Sequence, residues 1–187
     1  MEMMVLPTIG PFRGKWSCFS NFDENYPVEC FDKKFKTREH LYHLLKCATD
    51  HPEWAYWRDR ILEAETPGKA KHIGYKIPCR PDWSSGVRIN AMIFVVGLGL
   101  IQHPRLQGIL KGTKGHTLVE LNTHRDNFWG QDVRDLAEGI SGLNMLGTIY
   151  MGFRDGHFSL DRIQCMYDIL MLLNRKQIPN LSGHGAS

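Results

Sequence analysis

Glu39 and Lys46 stand seven residues apart in the run Thr37-Arg-Glu-His-Leu-Tyr-His-Leu-Leu-Lys46. An acid and an amine at that spacing share one face of a helix, two turns apart. A proton-moving carboxylate and an amine placed in this way could converge on one small ligand. Tyr42 and His43 fall on the same face. The ordinary alternative is that this face meets water and that Glu39 and His43 form an i, i+4 surface pair.

The element that must position these residues is a helix over 37–48. Thr37 is a good N-cap, Glu39 sits where the helix dipole favours an anion, and no proline or glycine interrupts the run. Leu41, Leu44, Leu45 and Ala48 make the apolar stripe that seeks a core. Before it lie short β-prone runs at 5–9, 16–22 and 29–35, separated by turn residues. After it, Pro52 opens a helix running to 65, and Thr66-Pro67-Gly68 breaks the chain before a short helix over 69–73. A long apolar helix is expected over 87–101. Gly97 and Gly99 each cost about 1 kcal/mol there relative to alanine, so they mark close packing or ligand contact. His103-Pro104 ends that helix and starts another to 110, and 117–120 is a brief strand or helical piece. Residues 122–142 form a long polar stretch around Phe128 and Trp129, a length usually reserved for function or disorder. Apolar periodicity returns over 143–153. Ser159 caps a final amphipathic helix whose buried side is assigned to Leu160, Ile163, 165–167, Leu170, Leu172 and Leu173, and the tail at 177–187 is expected to be flexible.

With 187 residues, 42% hydrophobic, the chain suits one domain rather than two. Its net charge of +3 neither repels phosphate nor demands nucleic acid. Five cysteines without a C-x-x-C spacing argue for reduced thiols and a cytoplasmic protein. The apolar run 93–101 is too short to span a bilayer, and no membrane partner is expected. His40 and His43 lack an H-E-x-x-H pattern, so no metal is expected, nor any other cofactor. Gly97-Leu98-Gly99 lacks the third glycine of a dinucleotide fingerprint, and no nucleophile elbow is present.

Read together, separated pieces say more. Phe19-Ser20-Asn21-Phe22, Thr37-x-Glu39-His40 with Tyr42 and Lys46, Asp126-x-Phe128-Trp129-Gly130 and Asn144-x-Leu146-Gly147 follow one another in order, joined by Ala70, Gly74, Arg80, Asp82, Trp83, Thr113 and Leu118-Val119-Glu120. This resembles the NADAR (YbiA-like) family over 16–154. The resemblance implies an α+β, mainly α, single YbiA-like domain, with short N-terminal β-strands and an additional C-terminal helix. The domain is bounded at 16–154, after an N-terminal segment 1–15 and before a helical extension over 155–176.

The resemblance further implies an N-glycosidase acting on ribosyl groups attached to amines. Two substrate branches are in view: ADP-ribose on the amino group of guanine, and phosphoribosyl intermediates of riboflavin biosynthesis. Its implied partner is a small-molecule or nucleic-acid substrate bearing that group, and whether a partner ADP-ribosyltransferase exists is not given by the sequence. Lys46 would be nucleophile or charge partner, Glu39 general acid or base, and Asp132 a further catalytic acid. Ser20, Asn21, Phe22, His40, Tyr42, His43, Arg80, Trp83, Phe128, Trp129, Gly130 and Asn144 would bind substrate. Trp129 either stacks a base or plugs the core, Trp83 faces the same choice, and Asn21 and Asn144 either bond the sugar or cap turns. The chain departs from the family's W-G-D with Trp129-Gly130-Gln131-Asp132 and loses several cationic positions. This favours ADP-ribosylated guanine over a small phosphoribosyl ligand, although Lys69, Lys71, His72 or Arg80 can replace the lost charge. A non-catalytic module that binds ADP-ribose or nucleotide is the remaining alternative.

Overall fold

The computed structural model describes residues 6–176. Its frame is helical. α1 (Arg38–Leu44) packs against a long central helix, α4 (Val87–Gln102), and α2 (Trp54–Glu63) and α3 (Pro67–Gly74) pack on α1 and on each other. α5 (Pro104–Lys111), α7 (Met145–Arg154) and α8 (Leu160–Lys176) surround the other sides of α4, and a short α6 (Val133–Ala137) sits in the long polar stretch. The strands are brief. β1 (Thr8–Ile9) pairs in parallel with β4 (Thr117–Leu118), β2 (Val28–Cys30) forms an antiparallel hairpin with β3 (Lys33–Phe35), and β5 (Leu121–Asn122) lies parallel to β6 (Gln131–Asp132). The expected α+β, mainly α, architecture is what the chain adopts.

α4 is apolar almost all round because it is covered almost all round: Met92, Phe94, Val95, Val96, Leu98 and Leu100 are all buried. Its two glycines are packing devices. A Cβ on Gly97 would press into Ile163 and Phe153, and one on Gly99 would crowd Arg38. Arg38 is itself fully buried, its Nη2 donating to the carbonyls of Cys18 and Ser20 at 2.7 Å each, and this ties α1 to the segment carrying the Ser20-Asn21-Phe22 run. Among the described residues no single helix is long and apolar enough to cross a membrane, and α4 and α5 together bend by 106°.

Several expectations need correction. Residues 16–22 hold no strand, because Gly14–Phe19 winds into 3-10 turns that bury Cys18 and Phe19. The run at 29–35 is two strands joined by a turn with Phe31 and Asp32 at positive φ. α1 ends at Leu44, four residues early, so Lys46 lies beyond it in a turn. On α8 the inward side is Ile163 and Met171, with Leu160, Tyr167 and Leu170 packed beside them, whereas Cys165, Met166, Leu172 and Leu173 are exposed. The stretch 122–142 is ordered by side chains and contains β6 and α6. The expected tail lies outside the described residues.

Candidate active site

A cavity of about 760 Å³ opens where α1, α3, the start of α4 and the β5–β6 region converge. Its volume is that of a small-molecule site. α1 supplies Glu39, Tyr42 and His43, and the turn after it supplies Lys46. Glu39 and His43 form the i, i+4 pair, His43 Nε2 to Glu39 Oε1 at 2.9 Å, but inside the protein rather than in water. The acid and the amine therefore do face one cavity. α1 is held at its start by Glu39 N–H donating to Asn21 O at 3.0 Å.

Lys46 is fixed by its surroundings rather than by helical bonds. Its Nζ donates to Gly74 O at 3.2 Å and lies 5.3 Å from the centre of the Tyr75 ring, while Lys46 O accepts from Arg80 N at 2.9 Å. Burial, and then the positive charge of Lys71, pulls its pKa below the usual lysine value against the opposing pull of Cys79 and Glu39. A depressed pKa enlarges the neutral, nucleophilic fraction. Gly74 has to be glycine because a Cβ there would strike the His43 ring.

Aromatic side chains shape the rest of the wall. Tyr42 packs against Trp83 with ring centres 5.4 Å apart and against Trp129 at 5.7 Å, nearly edge-on. Burial, then the Glu39 charge, raises the Tyr42 pKa, so its phenol stays protonated and can donate. Phe22, 43% exposed, stands at the mouth. Trp129 is placed by Asp126, whose Oδ1 accepts from the Phe128 and Trp129 amides at 3.1 and 2.9 Å. Asn122 fixes Asp126 in turn, accepting its N–H and donating to its carbonyl. Asn21 donates to Met92 Sδ at 2.9 Å and leaves its buried Oδ1 without a partner among the described residues, an acceptor available to a ligand hydroxyl. Ser20 also lines the cavity, with Arg13, Lys71 and Arg88 as its cations.

Other nominated residues lie off the cavity, each with a structural occupation. Asp132 is fully buried at the start of α6, accepting from Arg125 N and Arg134 N and pairing with the Arg134 guanidinium, which holds its carboxyl well below the usual carboxylate range. It caps α6 and does not line the cavity. Gln131, one residue before, points its amide to Gly142 O. His40 has both ring nitrogens engaged, with Thr37 Oγ1 at 2.8 Å and Ala64 O at 3.2 Å. Arg80 grips Asp82 with two nitrogens. Phe128 lies under the Arg88 guanidinium, 3.8 Å from its carbon, and so supports a cavity residue without lining the cavity. Gly130 is required because a Cβ would meet Glu120 O. Asn144, in the left-handed region at φ 50°, uses its amide to bond Glu120 N and Leu118 O.

Among the described residues no group of three His, Cys, Asp or Glu side chains is arranged to hold a metal ion. Sequence reading passed over Arg13, Arg88, Glu120 and Asp126 as site residues. Asp126 and Glu120 stand inside matched motifs, which was a usable signal, whereas nothing local marks Arg13 or Arg88.

The family model described as the NADAR domain matches residues 11–156. The chain belongs to the NADAR family. Its NADAR domain carries the whole cavity wall, and α8 lies beyond the matched span. The solution structure of the Escherichia coli protein YbiA superposes with a TM-score of 0.65 at 22% identity, covering 96% of this chain and 94% of that one. At that identity the likeness establishes a shared fold. None of the curated proteins compared matches in sequence.

Proposed function

We propose that this NADAR protein is an N-glycosidase that hydrolyses the bond between a ribosyl group and an amine, with ADP-ribosylated guanine as its substrate. The observation that carries the reading is the convergence of Glu39 and Lys46 on one cavity that also presents Tyr42, Trp83 and Trp129. The aromatic rings supply faces for a purine, each stacking contact being worth roughly 1–3 kcal/mol. Arg13, Lys71 and Arg88 supply charge for a diphosphate, and Asn21 Oδ1 an acceptor for a sugar hydroxyl.

In the proposed reaction the C1–N bond breaks, its electron pair leaves with the amine nitrogen, and the sugar carbon becomes electron-poor. The departing nitrogen takes up a proton, and the neutral amine of Lys46 bonds that carbon as an ammonium that keeps its protons, so that it can later leave as the free amine. Water then displaces Lys46, with Glu39 taking the proton from water, so that the net change is addition of one water across the C–N bond.

The same cations suit a single phosphate, which keeps phosphoribosyl aminopyrimidines of riboflavin biosynthesis as the second reading. Incubation with ADP-ribosylated guanosine and with a phosphoribosyl aminopyrimidine, followed by chromatography, separates the two. Release of guanosine and ADP-ribose supports the first, and release of ribose phosphate the second. Thermal stabilisation by ADP-ribose without product would replace both with a binding module. If the guanosine adduct is cleaved, DNA and RNA oligonucleotides carrying it establish which polymer serves as substrate.

A further inference from the structure

The proposed reaction requires a proton for the departing nitrogen, because an amine anion is a very poor leaving group, and Glu39, with one oxygen engaged by His43 Nε2 at 2.9 Å, is assigned as the base of the later step. We infer that Glu120 is the catalytic acid that protonates the leaving amine, acting from the wall formed by the segment between β4 and β5. The inference rests on the glycosidase reading above.

Four observations place it there. Glu120 lines the same cavity as Glu39 and Lys46. Its Oε2 is shut off from solvent and has no hydrogen-bond partner among the described residues, so nothing at that oxygen rewards the ionised form. Its backbone is clamped, Glu120 N donating to Asn144 Oδ1 at 3.0 Å and Glu120 O accepting from Gln131 N at 2.8 Å, so the carboxyl is delivered by a fixed segment. Gly130 lets the neighbouring loop approach that segment, since any side chain would strike Glu120 O.

Three charged or titratable groups face the carboxyl. Arg13, from the segment before the 3-10 turns, lowers its pKa, as does a hydrogen bond from the Phe12 backbone, Asp126 from the β5–β6 loop raises it, and the phenol of Tyr150 comes from α7. Burial outweighs them and pushes the pKa up to about 7, which is where an acid is both protonated and willing to donate. During C1–N cleavage the Glu120 proton passes to nitrogen as the bond's electron pair arrives there. Glu120 is left as the carboxylate and regains a proton from solvent after the free amine departs.

The test compares wild type with Glu120→Gln on two substrates: ADP-ribosylated guanosine, and ADP-ribose carrying 4-nitrophenolate at the same carbon, a group that leaves without protonation. The expected result is a loss of roughly 10²–10⁴-fold in kcat on the amine-linked substrate, within tenfold of wild type on the nitrophenyl substrate, and disappearance of the alkaline limb of the pH–rate profile near 7. A folding-independent check is Arg13→Gln, which removes the neighbouring positive charge and moves that limb to higher pH. Equal losses on both substrates, or an unchanged alkaline limb in both variants, overturns the role of Glu120 while leaving the hydrolase intact. Failure of wild type on every amine-linked substrate overturns the glycosidase reading, and this inference with it.

Discussion

His43 Nε2 lies 2.9 Å from Glu39 Oε1, and both side chains are buried in the wall of the cavity that Lys46 enters. The pair fixes the carboxylate so that one oxygen is committed to the imidazole and the other is left for chemistry. Glu39→Gln is therefore expected to lower kcat by roughly 10²–10⁴-fold. His43→Ala, which frees the carboxylate to rotate, is expected to cost less. Steady-state kinetics on the amine-linked substrate decides, and a Glu39→Gln variant as active as wild type would remove this acid from the mechanism.

Lys46 makes a second and sharper prediction. If its amine bonds the sugar carbon, transfer of a proton from that ammonium to the ring oxygen breaks the C1–O bond and opens the ring to an iminium, and borohydride added during turnover reduces that C=N bond and traps a protein adduct with the mass of the sugar moiety on the peptide containing Lys46. Lys46→Ala and Lys46→Arg are expected to form no adduct, and cleavage at the parent rate by Lys46→Ala would exclude the covalent route. Because burial lowers the Lys46 pKa, adduct formation is expected to rise with pH across the deprotonation of that amine and to plateau below the pH at which free lysine would.

Trp129 is positioned by the Asp126 carboxylate rather than by the core alone. Trp129→Ala is expected to raise KM by about 5–150-fold, the equivalent of roughly 1–3 kcal/mol of lost stacking. Asp126→Asn is expected to shift KM in the same direction, since an amide oxygen still accepts the two backbone hydrogen bonds but without the charge. Unchanged KM in Trp129→Ala would assign the indole to packing.

Asp132→Asn is expected to affect stability and not turnover. The native pairing with Arg134 holds the Asp132 pKa below its unfolded value, so its stabilising contribution is complete above the unfolded pKa and disappears as pH falls through the native one. Thermal melts at pH 7 and at pH 2–3 check this: the variant melts several degrees below wild type at neutral pH, and the gap narrows in acid. A kcat loss at unchanged melting temperature would return Asp132 to the catalytic set.

The frame of the fold and the central pair were readable from the chain. Periodicity gave α2, α4, α5 and α7 because each has a continuous apolar stripe, and the Glu39–Lys46 spacing pointed both groups the same way even though α1 stops at Leu44. What misled was local chemistry shared by unlike roles. Asn144, Asp132 and His40 are polar residues within motifs, and polarity alone does not say whether a side chain meets a ligand or saturates backbone groups, as these three do. Glu120 stands in a matched segment, yet the direction of its side chain was hidden. It follows two apolar residues in a segment too short for its alternation to show which side faces the cavity, and only the chain's return through Asn144 and Gly130 settles that.

Lys46 hangs from a turn that is clasped by the Gly74 carbonyl and by the Arg80 amide, while Glu39 is rooted in α1. The amine and the acid thus have separate mountings. A change in α3 or in the loop after it can advance, withdraw or re-aim the amine while the acid stays still.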